Sequence, residues 1–117
     1  MKVRKEQTET LQQAADRDYA MRLLYFLQDQ FPDAAEHEQA TLREGIRGQI
    51  AKARSYGFLT ERQIAAYVIS AWLLGEDFDH EFPAVQQILR PGLTPVEKST
   101  QLEQFTRDIF DQLKRSV

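Results

Sequence analysis

From Ile64 to Leu74 the only polar side-chain atoms are the hydroxyls of Tyr67 and Ser70 and the indole nitrogen of Trp72. A stretch of that length without apolar/polar alternation reads as a helix apolar on all sides, which a water-soluble chain has to bury. Its ends carry matching signals. Thr60, followed three residues later by Gln63, has the spacing of a capping box, and Gly75 closes the segment. The reading is a central helix over about 60–74, and the rest of the chain has to supply its cover.

The remaining segments also read as helices. Lys5 to Phe31 contains neither Gly nor Pro and is rich in Gln, Glu, Ala and Leu, with Leu11, Ala14 and Ala15 near one face. Between Tyr19 and Leu27 it is apolar except at Arg22, and Pro32 stops it. A second helix is expected from about Ala34 to Tyr56, on the stripe Leu42, Ile46, Ile50 and Ala53. Gly45 and Gly48 lie inside it, each a cost of about 1 kcal/mol against alanine, which suggests close approach of a neighbouring helix. Gly57 falls where a left-handed cap is expected. Glu76 to Phe82 reads as an acidic loop, and Pro83 to Leu89 as a short helix opened by proline. Thr94-Pro95-Val96-Glu97 gives a second capping signal, followed by a last helix with Leu102, Phe105, Ile109 and Leu113 on one face. No segment alternates as a strand does, and no hairpin dipeptide occurs. The expected fold is all-α: a compact bundle of four main helices plus one short helix, with residues 1–117 forming a single domain.

Composition narrows the chemistry. With 42% hydrophobic and 28% charged residues the chain is globular rather than disordered. It has no cysteine, which excludes disulfides, thiolate metal sites and thiol catalysis. No apolar run approaches a membrane span, and the opening Met1 to Thr8 has no apolar stretch behind its positive start, so neither a membrane helix nor a signal peptide is expected and the cytoplasm is the default compartment. The two histidines, His37 and His80, stand in no His-Glu-x-x-His pair, and no metal or cofactor is expected. No serine sits in a nucleophile elbow and no glycine loop suits a phosphate, so no catalytic residue is assigned.

Two charged features remain. Glu76, Asp77, Asp79 and Glu81 form an acidic run, but counting Asp77 as position one of a calcium loop puts Phe82 at six and Ile88 at twelve, where Gly and Glu are required. The favoured reading is a solvated loop whose Phe78 and Phe82 plug into the core, with some acids pairing to Arg43, Arg47, Lys52 or Arg54. Those four cations make the second helix basic, with Arg43 and Arg47 on one face. At a net charge of -3 they are a thin footprint for a nucleic acid, and a solvated or salt-bridged face is favoured. The last signal is apolar excess. A small domain readily buries one helix such as Ile64–Leu74, but a second at Tyr19–Leu27 is harder to cover. Either the two cross and cover one another, or part of Tyr19, Tyr25, Phe26 or Trp72 forms an exposed partner surface.

The stretch from Ala53-Arg54-Ser55-Tyr56-Gly57-Phe58-Leu59-Thr60-Glu61-Arg62-Gln63 through Leu74-Gly75-Glu76-Asp77-Phe78-Asp79, with Leu93-Thr94-Pro95-Val96-Glu97-Lys98, resembles a family of small helical bacterial proteins encoded beside type VI secretion spike, PAAR-tip and effector genes. That family's pattern is a basic helix ending in Tyr-Gly-Ile, then Ser/Thr-Glu-Arg-Asp, then an apolar helix ending in Leu-Gly-Pro-Asp-Phe-Asp. Arg4-Lys5-Glu6-Gln7 and Phe31-Pro32 are similar too, so the likeness spans most of the chain. Phe58 replaces Ile, Gln63 replaces Asp and Glu76 replaces Pro. These are capping, turn and packing residues, so they speak for architecture rather than chemistry. The resemblance implies a non-enzymatic cytoplasmic adaptor, chaperone or co-chaperone that binds a secreted effector or another chaperone. On that reading Tyr19, Tyr25 and Phe26 make contact and Arg43 and Arg47 form a charged rim, with a homodimer left open. The alternative is an immunity protein that occludes an effector's active site with Glu76, Asp77 and Asp79. A weaker alternative is a nucleic-acid-binding regulator that uses the second helix.

Overall fold

The computed structural model describes the backbone of residues 2–115 and the side chains of residues 14–112. Over that span the protein is all-α, with seven helices and no strand among the described residues. It divides after Gly48 into two compact units. Leu11 and Leu113, each assigned to an apolar face from sequence, lie outside the described side chains.

In the first unit α1 (Lys2–Gln30) ends as expected ahead of Pro32. The next step differs from the sequence reading. Pro32 opens a one-turn helix, α2 (Pro32–Ala35), with Phe31 extended before it, and α3 (Gln39–Ser55) begins only after a break at 36–38. Proline at a first helical position presets φ and needs no N–H partner, so it nucleates a turn as readily as it ends the preceding helix. Among the described residues of this unit the buried apolar ones are Tyr19, Ala20, Leu23, Leu24, Leu27, Ala34, Leu42 and Ile46. Ala14 and Ala15 are exposed. A methyl group at Gly45 or Gly48 would meet no atom within 4 Å, and both positions are exposed, so among the described residues no helix approaches closely there. The expectation of compensating helix contact at these glycines is thereby overturned.

The second unit holds the end of α3 and α4 (Glu61–Leu74), α5 (Phe78–Glu81), α6 (Pro83–Leu89) and α7 (Pro95–Arg115). The first capping box forms in full: the Thr60 hydroxyl accepts from the Gln63 N–H at 3.1 Å, and the Gln63 side chain accepts from the Thr60 N–H at 3.2 Å. At the start of α7 the Thr94 hydroxyl accepts from the Glu97 N–H at 3.1 Å, while the Glu97 carboxylate accepts from that hydroxyl rather than from a backbone N–H. Gly57 and Gly75 both take positive φ, at 95° and 116°, and end α3 and α4 where the sequence indicated. α4 packs against α7 and α5. Ser70 is buried in α4, and its hydroxyl hydrogen-bonds that of Thr106 on α7 at 2.9 Å, so the polar group inside this apolar helix is satisfied.

Candidate functional site

Two regions hold the candidate residues, one in each unit. In the first, α1 presents a stripe at four-residue spacing: Tyr19, Leu23 and Leu27, all buried. Tyr25 lies off that stripe and is 56% exposed, and Phe26 beside it is 44% exposed. Adjacent aromatics at that exposure differ from the scattered single apolar residues of any protein surface, such as Leu59 and Val96 here. Tyr19 is placed otherwise than the partner-surface reading expected. It is 7% exposed, and the Arg22 guanidinium lies 5.1 Å from its ring centroid. The four-residue repeat Tyr19-Leu23-Leu27, the same spacing as Leu42-Ile46-Ile50, was the signal that separates Tyr19 from Tyr25. Arg43 is half-buried. Arg47 is exposed, with Glu44 at 3.4 Å one turn away.

In the second unit the acidic segment seats its aromatics and pairs one acid to the second helix as expected, with Glu76, Asp77 and Glu81 exposed, but it is wound into a helical turn and encloses Asp79. Phe78 is fully buried, its ring 4.9 Å from that of Tyr67, and Tyr67 in turn lies 5.8 Å from both Tyr56 and Phe58. Phe82 is half-buried and meets Phe105 edge-on at 5.7 Å. Seating Phe78 in this cluster winds residues 78–81 into one helical turn and carries Asp79 inward with it. The Asp79 side chain is 0% exposed. Lys52 donates to one of its oxygens at 2.8 Å and the Tyr56 hydroxyl to the other at 2.6 Å, with His80 Nε2 at 3.3 Å from the latter. Lys52 and Gln49 also donate to the Glu76 carbonyl, each at 3.1 Å, tying the end of α3 to the turn after α4.

The electrostatics follow from that geometry. Burial alone would raise the Asp79 pKa. The hydrogen bonds from Lys52 and Tyr56, with the charges of Lys52 and His80, outweigh it and hold the carboxyl below its ordinary value. The Tyr56 hydroxyl is pushed up to about 12, chiefly by burial and then by its bond to Asp79. Burial raises Tyr67 further still, and its hydroxyl has no hydrogen-bond partner among the described residues. At neutral pH the cluster is therefore an ionised acceptor held by two donors, a structural clamp.

The sequence reading of these acids is thus corrected at one position. Asp79 was expected on a contact surface and is instead enclosed, paired to Lys52, one of the four cations named for such pairing. Only Glu76 and Asp77 of the three acids assigned to contact are exposed. Among the described residues no three His, Asp or Glu side chains form a metal-ligand cluster, and no helix is long and apolar enough to cross a membrane. The half-exposed side of α4, Ala65, Ile69 and Leu73, opens with Phe110 of α7 into a groove of about 460 Å³ rimmed by Arg62, Glu103 and Arg107. Compared with protein-family models, curated proteins and solved structures, the chain matches none.

Proposed function

We propose that this protein is a non-enzymatic adaptor or chaperone that acts in the cytoplasm and binds a type VI secretion effector or its loading partner. The observation that carries the reading is the pair of exposed aromatics on α1, Tyr25 and Phe26. Each holds apolar area in water that a partner would cover, and aromatic rings are preferred anchors because they bury much area at little loss of side-chain freedom. Arg22, one turn before Phe26 and exposed, supplies charge for a polar rim, and Arg47 is exposed on α3. Arg43, half-buried, contributes less than the sequence suggested. The secretion context rests on the sequence resemblance alone.

The test is co-expression with a type VI secretion effector, taken from the genes flanking this one where they encode it, followed by pull-down with the wild type and with Tyr25→Asp/Phe26→Asp. Far-UV circular dichroism checks that the variant is folded. An adaptor binds a non-toxic region of the effector, loses the complex in the double variant and does not rescue growth. Rescue from toxicity, with contact at the toxin domain, would replace this reading with the immunity alternative. A complex undiminished in a folded double variant rules out the α1 surface.

A further inference from the structure

Lys98 is the least expected charge in the protein. It sits in the first turn of α7, where the helix dipole disfavours a cation, and it is only 8% exposed. Its ammonium donates to the Tyr56 carbonyl at 2.8 Å and packs beside Gly57, where a methyl group would come within 3.8 Å of it. Among the described residues it forms no ion pair. A buried ammonium needs more than one neutral acceptor, since its desolvation is large and it carries three donors.

Lys98 lines a recess of about 340 Å³ formed within the second unit by the end of α3, by α5 and α6, and by the turn leading to α7. Arg90, exposed at the end of α6, lines the same recess, as does His80. Asp79 reaches it as well, but both its oxygens are engaged, and its charge is offset by Lys52, which lies outside the lining. The lining therefore carries surplus positive charge in a protein whose net charge is -3. Leu89 and Pro91 give it an apolar wall, and its volume exceeds what a bare inorganic anion needs.

We propose that this recess is a binding site for a small organic oxyanion, with a phosphate or carboxylate held by Lys98 and Arg90 and its carbon body lying on Leu89 and Pro91. Two cations that line one recess are the groups that would give charge-assisted hydrogen bonds to such a ligand, and Arg90 adds the planar fork that recognises phosphate and carboxylate alike. The site is independent of the α1 surface and of the adaptor reading.

The experiment is a titration of the isotope-labelled full chain with phenyl phosphate, benzoate and inorganic phosphate at constant ionic strength, followed by backbone amide NMR. Saturable shifts centred on the amides of Tyr56, Arg90 and Lys98 are expected with phenyl phosphate, benzoate or both, and which of the two binds distinguishes a phosphate site from a carboxylate site. Arg90→Gln and Lys98→Met should each weaken binding by about tenfold or more. Arg62→Gln, in the other groove, should leave it unchanged. Arg90 is exposed, so its variant decides the matter if Lys98→Met does not fold. Absence of saturable shifts with both phenyl phosphate and benzoate, whether or not inorganic phosphate binds, or binding unaltered in folded Arg90→Gln, overturns the proposal.

Discussion

Replacing Lys52 with methionine removes the cation from a carboxylate that has no access to water. Deleting one partner of a buried pair typically costs about 3–5 kcal/mol, because the other charge is left uncompensated. Here the Lys52 side chain is 31% exposed, and Tyr56 still donates to Asp79 at 2.6 Å, so the expected loss is at or below the lower end, about 2–3 kcal/mol at pH 7. In a domain of this size that lowers Tm by roughly 10 °C. The loss depends on pH in a defined direction. The Asp79 pKa is lower folded than unfolded, so the stability its ionised form contributes is fully present above the ordinary carboxyl value of 3.8 and disappears as pH falls below it. Lys52→Met takes away the main source of that lowering. Burial then raises the Asp79 carboxyl in the variant, which takes up its proton before the wild type does, so the gap between the two should be full near neutral pH and narrow steadily on acidification. Trp72, the single tryptophan, lies in α4 of the same unit, so its fluorescence in urea melts reports this equilibrium directly. The double variant Lys52→Met/Asp79→Asn should lose less than the sum of the two single variants, as coupled groups do. The reasoning fails if Lys52→Met stays within about 0.5 kcal/mol of wild type at pH 7, or if the gap widens on acidification.

Three further outcomes are expected in the same urea assay. Tyr67→Phe removes a buried hydroxyl without a partner among the described residues while keeping the ring against Phe78, so stability should be unchanged or rise by up to about 1 kcal/mol; a loss of that size would mean the hydroxyl is satisfied. Gly45→Ala should stabilise by about 0.5–1 kcal/mol, since the position is helical and open, whereas Gly75→Ala should cost about 1–3 kcal/mol, since φ 116° and ψ 152° suit glycine alone; equal effects of the two would contradict this account. Thr60→Ala should cost about 1 kcal/mol by opening the capping box, with hydrogen exchange rising first at the start of α4; an unchanged exchange pattern would show the cap to be dispensable.

The helical punctuation of the chain was legible because each signal acts over three or four residues. Pro32, the Gly57 turn, Thr60 with Gln63, Gly75, Pro83 and Thr94-Pro95 all stand where helices start or stop. The places where the sequence reading went astray share a different physics. Gly45 and Gly48 were expected to face a neighbour and do not, because composition does not say which side of a helix another element will cover. The second helix was expected as one piece from about Ala34, whereas proline both opens α2 and leaves a break before α3. Tyr19 was grouped with Tyr25 and Phe26 by hydrophobicity alone, although helical period sets it on the same face as Leu23 and Leu27.

The candidate sites divide along the same line. That some acids of the 76–81 run would meet cations of the second helix was readable from charge. That the pair would be Asp79 with Lys52, a separation of 27 residues, was not. It depends on Phe78 seating beside Tyr67 and turning the next residue inward. Nothing in the sequence sets Lys98 apart from the other cations, and only its burial beneath the Tyr56 carbonyl makes it a candidate anion ligand. By itself, then, the chain determined the main helices and most of their caps, since backbone caps and proline geometry are satisfied by near neighbours; the break at 36–38 and the helical turn at 78–81 came only with the fold. Which charges are enclosed, which aromatics stay in water and which cations share a recess were decided by the tertiary structure. Those properties belong to pairs of groups far apart in the chain, and their energies are set by the removal of water that only packing brings about.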